Sequence, residues 1–487
     1  MRKFTLFFLF FSQLTFASFQ MNERMLQSYF HIINLEFESA NDLLRIEKKE
    51  NPDNGIIFLH QNYIDFLTII IGEDEAFFMI AKEKKSKRIE LIQTGDENSP
   101  YYLYAQAEIH LQWAFARLKF EQYSTAAYEF VKAYNLLEKN QEKFPNFTLN
   151  KKGLGLIHAL LGTVPNQFQW ILSLAGLQGG INLGLSEMDA VLNDDNFKVY
   201  ENEVLFLLSF LQINLNNNDT LCQRYLNRIG DRYQENLLLN FTAARLSHFL
   251  GMNEYCLKVL ENRASNEGRY AFYYLDYLQG MSYLYKLDYE KAEQYFNNFL
   301  KFFNGSNYIK STYHKLAWIS YLKGEGNQYK YFEKALTEGT QSIDEDKVAL
   351  KDAQRNYITH PLLLRTRILY DGGYYKKALA VISGVKKVSE YAEYLDEYWY
   401  RLARIESKLN YDDEMLIKRF EKSYEIGKKT TNYYAPMSAL QIGLIYEQQN
   451  DIAQAAIYFE KCLSISDFDY ERGIHQKAKA GISRISD

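Results

Sequence analysis

The stretch Ala439 to Leu463, ALQIGLIYEQQNDIAQAAIYFEKCL, carries two apolar stripes separated by a short polar break. Gly443, Tyr446, Asn450, Ile452, Ala455, Phe459 and Cys462 follow one another at spacings of 3, 4, 2, 3, 4 and 3. Steps of three and four are the period of a helix with one buried face, and Asn450 at the break supplies a turn. The pattern predicts two helices folded back on one another. Related spacings return along most of the chain. Ala107 to Lys139 keeps Ala114, Tyr123, Ala126, Phe130 and Ala133, with Arg117 where an aromatic fits the pattern, and Phe144-Pro145 closes it. Two degenerate units lie between 200 and 270, the second holding Ala244, Gly251, Cys256 and Leu260. Residues 273–305 give a clear unit with Gly280, Tyr283, Tyr289, Ala292, Phe296 and Phe299. Ser311 to Glu338 keeps Ala317, Gly324 and Ala335 but is one residue short between its helices. Leu364 to Ile382 turns at Asp371-Gly372-Gly373, where glycine permits positive φ, and Ala403 to Ser423 fits with one inserted residue.

Small residues let paired helices approach closely, while rings fill the volume between one pair and the next. The order small residue, aromatic, turn residue, aliphatic, Ala, aromatic, small residue resembles the tetratricopeptide repeat. That resemblance implies an all-α fold, an α-solenoid of tetratricopeptide-like helix-turn-helix repeats, right-handed, whose job is recognition. The chain then divides as follows. Residues 18–100 are helical but off-pattern and form an N-terminal cap region, with one helix stopping at Asn51-Pro52-Asp53-Asn54 and the next starting near His60. Residues 101–148 are a repeat, 149–190 an apolar hairpin, and 191–340 further repeats. Polar residues 341–360 read as a connector or an exposed helix. Residues 361–487 return to repeats and end in a Lys- and Arg-bearing capping helix from Glu471 to Ile485.

Gly153 to Ser186 is 34 residues long without Asp, Glu, Lys or Arg. Pro165 splits it into two arms, and Gly176, Gly180 and Gly184 recur at every fourth position of the second, a flat face for another helix. The first arm is too short and the second too rich in Asn and Gln to span a bilayer. A hairpin buried in the solenoid is the expectation, with a membrane- or lipid-contacting insert as the alternative. The run of Leu160-Leu161, Pro165, Gly176-Leu177-Gln178-Gly179 and Gly184-Leu185 is similar to a segment of the inclusion-body-clearance family of repeat proteins, which are linked to lipid droplets and inclusions. Members carry an acidic-basic pair after the second glycine, where this chain has Gly180-Ile181.

Composition fits this picture. A length of 487 residues exceeds one compact core, yet no Pro-, Gly- or Ser-rich linker divides it, as expected when each repeat needs only its neighbours. The 40 Tyr and six Pro suit long helices cemented by rings. A net charge of -5 leaves no electrostatic footprint for nucleic acid, and the basic run Lys82 to Arg88, interrupted by Glu83, reads as a solvated loop. Met1-Arg2-Lys3, the apolar run Phe4 to Phe16 and the small residue Ala17 read as a secretory signal over 1–17. Export to the periplasm, the outer membrane or the medium follows as an expectation. Three cysteines in an exported chain raise a disulfide. However, Cys222 and Cys256 are one 34-residue period apart at sites for small residues, and Cys462 takes a similar site. All three are expected to be buried and unpaired.

No catalytic constellation emerges. The eight His are scattered, with no His-Glu-x-x-His and no Cys-x-x-Cys, and phosphate loops, dinucleotide fingerprints and a GxSxG elbow are missing too. The expectation is a protein that is not an enzyme and uses no cofactor or metal. Asn-x-Ser/Thr sequons stand at Asn146, Asn218, Asn240 and Asn304, the third at the start of a predicted helix.

What remains is a concave groove lined by the first helix of each pair. In the family the chain resembles, positions 2, 5, 9, 12 and 13 of that helix face the ligand. They correspond here to Tyr274, Tyr277, Met281, Leu284 and Tyr285, then His314, Trp318 and Tyr321, then Arg367, Tyr370 and Arg404. Rings and Arg are the types enriched at interaction hot spots, although such rings also serve as packing between repeats. The Lys and Asn clamp that chaperone-associated members use for a free carboxylate is missing at these positions. The function expected is a non-catalytic scaffold or assembly factor of the cell envelope binding a protein or peptide partner.

Overall fold

The computed structural model describes residues 19–162, 179–384 and 393–486. Residues 1–17 and the hairpin positions Pro165 and Gly176 lie outside the described residues. Among the described residues there are 24 α-helices and no strand, arranged as antiparallel pairs. They form two compact units. One runs to Leu250 and takes in Lys258–Leu275 and Phe302–Ser306; the other comprises Gly251–Leu257, Asp276–Lys301 and the chain from Asn307 on. The first holds α1 (Glu23–Ile33), α2 (Phe37–Glu50), α3 (Ile56–Gly72), α4 (Glu75–Gln93), α5 (Pro100–Lys119), α6 (Tyr123–Lys143), α7 (Asn150–Leu161), α8 (Ile181–Leu192), α9 (Glu201–Leu211), α10 (Asp219–Ile229) and α11 (Leu237–Phe249). The division passes within α12 (Asn253–Glu261), α13 (Tyr274–Tyr285) and α14 (Tyr289–Phe302). The second unit continues with α15 (Ile309–Lys323), α16 (Gln328–Thr337), α17 (Asp344–Arg355), α18 (Pro361–Asp371), α19 (Tyr375–Ser383), α20 (Leu395–Lys408), α21 (Asp413–Gly427), α22 (Tyr434–Gln448), α23 (Ile452–Leu463) and α24 (Glu471–Ser486).

The predicted pairing has a direct structural cause. A Cβ added to Gly280 of α13 would lie 2.6 Å from the Phe296 ring of α14, and one added to Gly443 of α22 would lie 2.6 Å from Phe459 of α23. Both rings are fully buried, so a missing side chain on one helix is filled by a ring from the other. The turns use left-handed residues, Asn450 at φ 60° and Gly373 at φ 79°, at the positions the sequence marks. α5 and α6 form the first repeat, and Arg117 replaces the expected ring with charge. Its guanidinium lies 5.9 Å from the Trp113 ring and its Nε donates to Glu129 Oε1 at 3.2 Å.

The described arms of the apolar stretch, α7 and α8, cross closely. A Cβ on Gly155 would lie 2.6 Å from the Gly184 carbonyl oxygen, and α7 is buried along most of its length. Cys222, Cys256 and Cys462 are buried thiols that form no disulfide, Cys256 with its Sγ 3.4 Å from Ser282 Oγ. Asn240 is also fully buried, its Nδ2 donating to the carbonyl of Val259 at 2.7 Å. Asn146, Asn218 and Asn304 are exposed.

One reading of a polar stretch needs correction and a second needs refinement. Lys82 to Arg88 is no loop but part of α4. Lys85 and Arg88 turn inward, Lys85 to Glu129 at 2.5 Å and Arg88 to Asp65 at 2.7 Å. Residues 344–355 of the polar stretch form a helix, α17, the second of the two alternatives, but one with a buried side: Asp346, Ala349 and Ala353 pack against α15 and α16. In both cases a buried face built from charged or small residues leaves no hydrophobic period to detect.

The first unit also has a polar centre. Lys152 of α7, 2 % exposed, donates to Tyr63 Oη at 2.7 Å, Glu203 Oε1 at 2.8 Å and Glu108 Oε1 at 2.9 Å. Tyr29 of α1 donates to the same Glu203 carboxylate. Four further helices thus place a side chain around one ammonium.

Candidate functional site

The second unit gathers several of the residues expected to bind a partner. α15 is anchored at its start by Asp346 of α17, which accepts from the backbone N–H of Tyr308 at 2.7 Å and of Ser311 at 2.8 Å. Burial pushes the Asp346 carboxyl up to about 6 despite these bonds. One helical turn of α15 then carries His314, Lys315 and Trp318. His314 is 1 % exposed, its ring 4.7 Å from that of Trp318 and its Nε2 3.2 Å from Asp352 Oδ2. Burial, reinforced by Lys315, brings its pKa down to about 4, so the ring is neutral at pH 7.

Trp318 is a cushion for two cations. Lys315 Nζ sits 3.7 Å from its ring centroid, and the Arg367 guanidinium of α18 sits 5.0 Å away. Among the described residues Arg367 makes one loose ion pair, with Asp371 at 3.7 Å, while its charge also helps to lower Asp352, and its side chain keeps 29 % exposure. Lys315 makes no ion pair among the described residues. Burial and the nearby Arg367 pull its pKa down to about 7. Arg404 of α20 repeats the arrangement, its guanidinium 4.2 Å from Tyr370 and 5.4 Å from Tyr400, again with no ion pair among the described residues. Arg401, one turn earlier, is buried and satisfied by Glu397, to which its Nε donates at 2.5 Å. The rings continue through Tyr433, 5.8 Å from Tyr400 and 5.6 Å from Tyr470, which is exposed.

Of the eleven residues expected in the groove, the structure therefore brings Trp318, Arg367, Tyr370 and Arg404 into one set of cations and rings, with His314 directly beneath, while Leu284 is fully buried. Tyr277 is instead packed inside. Its ring lies 4.9 Å from Tyr308 and 5.6 Å from Phe299, and its hydroxyl is 3.0 Å from Ser311 Oγ. Met281, Tyr285 and Tyr321 are half-buried on α13 and α15, outside this set. Tyr274 belongs to the first unit, 5.9 Å from Phe241. Sequence reading missed Lys315, Tyr400, Arg401, Tyr433 and Tyr470. A signal was present: a basic residue stands three before a ring or another Arg on three first helices, Lys315 and Trp318, Arg367 and Tyr370, Arg401 and Arg404.

Chemically, such a face offers cations held against flat apolar rings, with carboxylates beside them, a means of binding. Among the described residues, no cluster of three or more His, Cys, Asp or Glu suits a metal ion.

No protein-family model matches the chain, and no curated protein does. Solved structures with some likeness include the APC/C hetero-tetramer Cut9–Hcn1, at a TM-score of 0.28 and 11 % identity over 96 % of this chain and 97 % of that one. Yeast Tom70 is similar at 0.23 and 13 % over 95 % and 88 %, and the TPR domain of P58(IPK) at 0.22 and 14 % over 83 % and 96 %. Scores this low add nothing to the packing evidence, on which the assignment of an all-α fold of repeated helix pairs rests.

Proposed function

We propose that this protein is a non-catalytic interaction scaffold and that a protein or peptide partner docks on the second unit across α15, α18, α20 and α22. The observation that carries the reading is the pair Lys315 and Arg404. Each cation is stacked on a ring, part-exposed, and without a carboxylate partner among the described residues. Half-desolvated charge of this kind costs stability unless a partner completes it, and such cations and rings are typical interaction hot spots. The signal-like residues 1–17 support a place in the cell envelope, in the periplasm or at the outer membrane, where the scaffold would act as an assembly factor. Lipid contact through 153–186 is the weaker proposal, because α7 is turned into the first unit.

The test is photo-crosslinking in the cells that make the protein, with benzoylphenylalanine placed at Tyr370 or, as a control, at exposed Tyr411. A discrete adduct from position 370 alone, lost when Lys315 and Arg404 are both changed to Glu, is the expected result. Equal adducts from both positions, or none from either, would overturn the proposal.

A further inference from the structure

We infer, resting on the partner face proposed above, that this face carries its own gate: the loop between α23 and α24 reaches α17 and clasps it through Asp469 and Lys351. A partner docks when the clasp is released. In a helical stack each pair packs on its neighbours. Three pairs, α18–α19, α20–α21 and α22–α23, lie between α17 and α24, yet Lys351 of α17 and Asp469 form an ion pair. The second unit therefore curls far enough for its last loop to return to α17. Besides Asp469, Lys351 has Asp352 and Arg355 as charged neighbours on its own helix. The clasp is thus a local match of two side chains. It does not depend on the net charge of the face, where Glu345, Asp352 and Asp371 stand beside Lys315, Arg367 and Arg404.

The loop is built as a fixed base and a reaching tip. At the base, Phe468 is buried in the core shared by α22, α23 and α24, its ring 5.5 Å from that of His475. His475 Nε2 lies 2.9 Å from the Ile465 carbonyl oxygen, and the Asp467 N–H donates to Glu471 Oε2 at 2.7 Å. Asp467 and Tyr470 both take left-handed backbone, at φ 63° and 66°, a conformation that strains a residue as large as tyrosine. That backbone leaves Asp469 part-exposed and Tyr470 exposed while Phe468 stays in the core. The Tyr470 ring meets Tyr433 edge-on at 5.6 Å. Its hydroxyl is near enough to Arg367 of α18, and to Asp352 and Asp344 of α17, for their charges to act on it. Arg367 and Asp352 border Trp318 and His314, so the tip occupies the end of the face that α17 and α18 form.

Such a clasp is weak enough to open. Lys351 keeps 38 % exposure and Asp469 33 %, and ion pairs in that setting contribute little net stability. One edge-on ring contact adds to it. Opening requires no repacking of the base, because Phe468 can stay buried while each pair between α17 and α24 yields by a small rotation, and such rotations add along a stack. The apparent affinity of a partner then scales with the fraction of molecules whose clasp is open.

The experiment uses the full-length protein with spin labels on Lys347→Cys of α17 and Ser466→Cys of the loop, two exposed positions, the three native thiols being buried. Double electron–electron resonance should give one narrow distance distribution when Lys351 and Asp469 are intact, and added salt should broaden it. Lys351→Glu or Asp469→Lys alone should lengthen or broaden it, with Lys351→Gln as a milder release. The two changes together restore the pair with its charges exchanged and should bring the narrow distribution back. In the cells that make the protein, the adduct from benzoylphenylalanine at Tyr370 should rise about two- to tenfold with either single change and return to its starting level with both. Identical distances in the intact chain and the single variants, or no return in the double variant, would overturn the clasp. Lengthened distances with an unchanged or smaller adduct would overturn the gate while leaving the partner site standing. No adduct at position 370 in any variant would instead remove the partner site, and the gate with it, whatever the distances.

Discussion

Gly280 and Gly443 do the same job, each 16 residues ahead of a phenylalanine that fills the space a side chain would need. Because Phe296 and Phe459 are themselves fully buried, neither ring has room to retreat. Gly443→Ala is therefore expected to cost about 1–3 kcal/mol through overpacking, seen as a lower thermal midpoint by circular dichroism with helicity kept. An unchanged midpoint would show that the α22–α23 seam is looser than described. Lys152 makes the opposite case. Lys152→Met strands Glu108 and Glu203 and should cost about 3–5 kcal/mol, and adding Glu108→Gln and Glu203→Gln should recover most of it; no recovery would mean that packing, not charge, holds the centre. The glycines were legible in the sequence because their partners lie one helix away at a fixed offset. Lys152 was not, because Tyr63, Glu108 and Glu203 are between 44 and 89 residues away and no periodicity connects them.

At the scale of the element, legibility followed the hydrophobic stripe. Where small and aromatic residues alternate at helical spacing, the predicted pairs α13–α14, α15–α16, α18–α19 and α22–α23 appear with their turns in place. Where a helix buries a polar face the stripe is silent: Lys82 to Arg88 of α4 read as a loop, and α17 read as a connector or an exposed helix with its buried side unseen. α17 is held less by apolar burial than by Asp346, which accepts from the start of α15 and plays the part of a helix cap supplied by another element. Asp346→Ala should cost about 1–2 kcal/mol on the scale of lost caps and speed hydrogen exchange at the amides of Tyr308 and Ser311, leaving those of α24 unchanged. Unaltered exchange at Ser311 would dismiss the cap. The site was half legible for the same reason. Trp318, Arg367, Tyr370 and Arg404 fall on the ligand-facing register of first helices, whereas Tyr433 and Tyr470 are brought to them only by the packing of α22 on α20 and of α24 on α22.

For the molecule as a whole, the two units bury different titratable groups and should answer acid differently. In the first unit, burial lowers His60 to about 3, and His110 and Lys85 outweigh burial to hold Glu129 at about 2. Both shifts are depressions. The His60 contribution is complete above its unfolded value near 6.5 and is lost as pH falls toward 3, and that of Glu129 is complete above 4.5 and is lost toward 2. Glu47, lowered against its burial by Asn54, Asn22 and Arg24, has the same sign as Glu129, and Glu203, raised by burial, opposes them. In the second unit, His314 at about 4 loses its contribution between pH 6.5 and 4, but Asp346 is raised to about 6. A raised carboxyl contributes below its unfolded value of 3.8 and loses that contribution as pH rises through 6, so acidification restores it. Shifts of about two units each make these two terms roughly 3 kcal/mol and opposite in sign, while the first unit loses roughly that amount from His60 alone by pH 4. The protein carries its own reporters, since Cys222 lies in the first unit and Cys462 in the second, both fully buried. With a dithiodipyridine reagent that reacts in acid, both thiols should be protected at pH 7, and at pH 4 Cys222 should react well before Cys462. His60→Phe should narrow that gap, whereas His314→Phe should leave Cys222 unchanged and slow Cys462 further. Simultaneous reaction of the two thiols, or Cys462 first, would show that the buried histidines do not set the acid response of either unit.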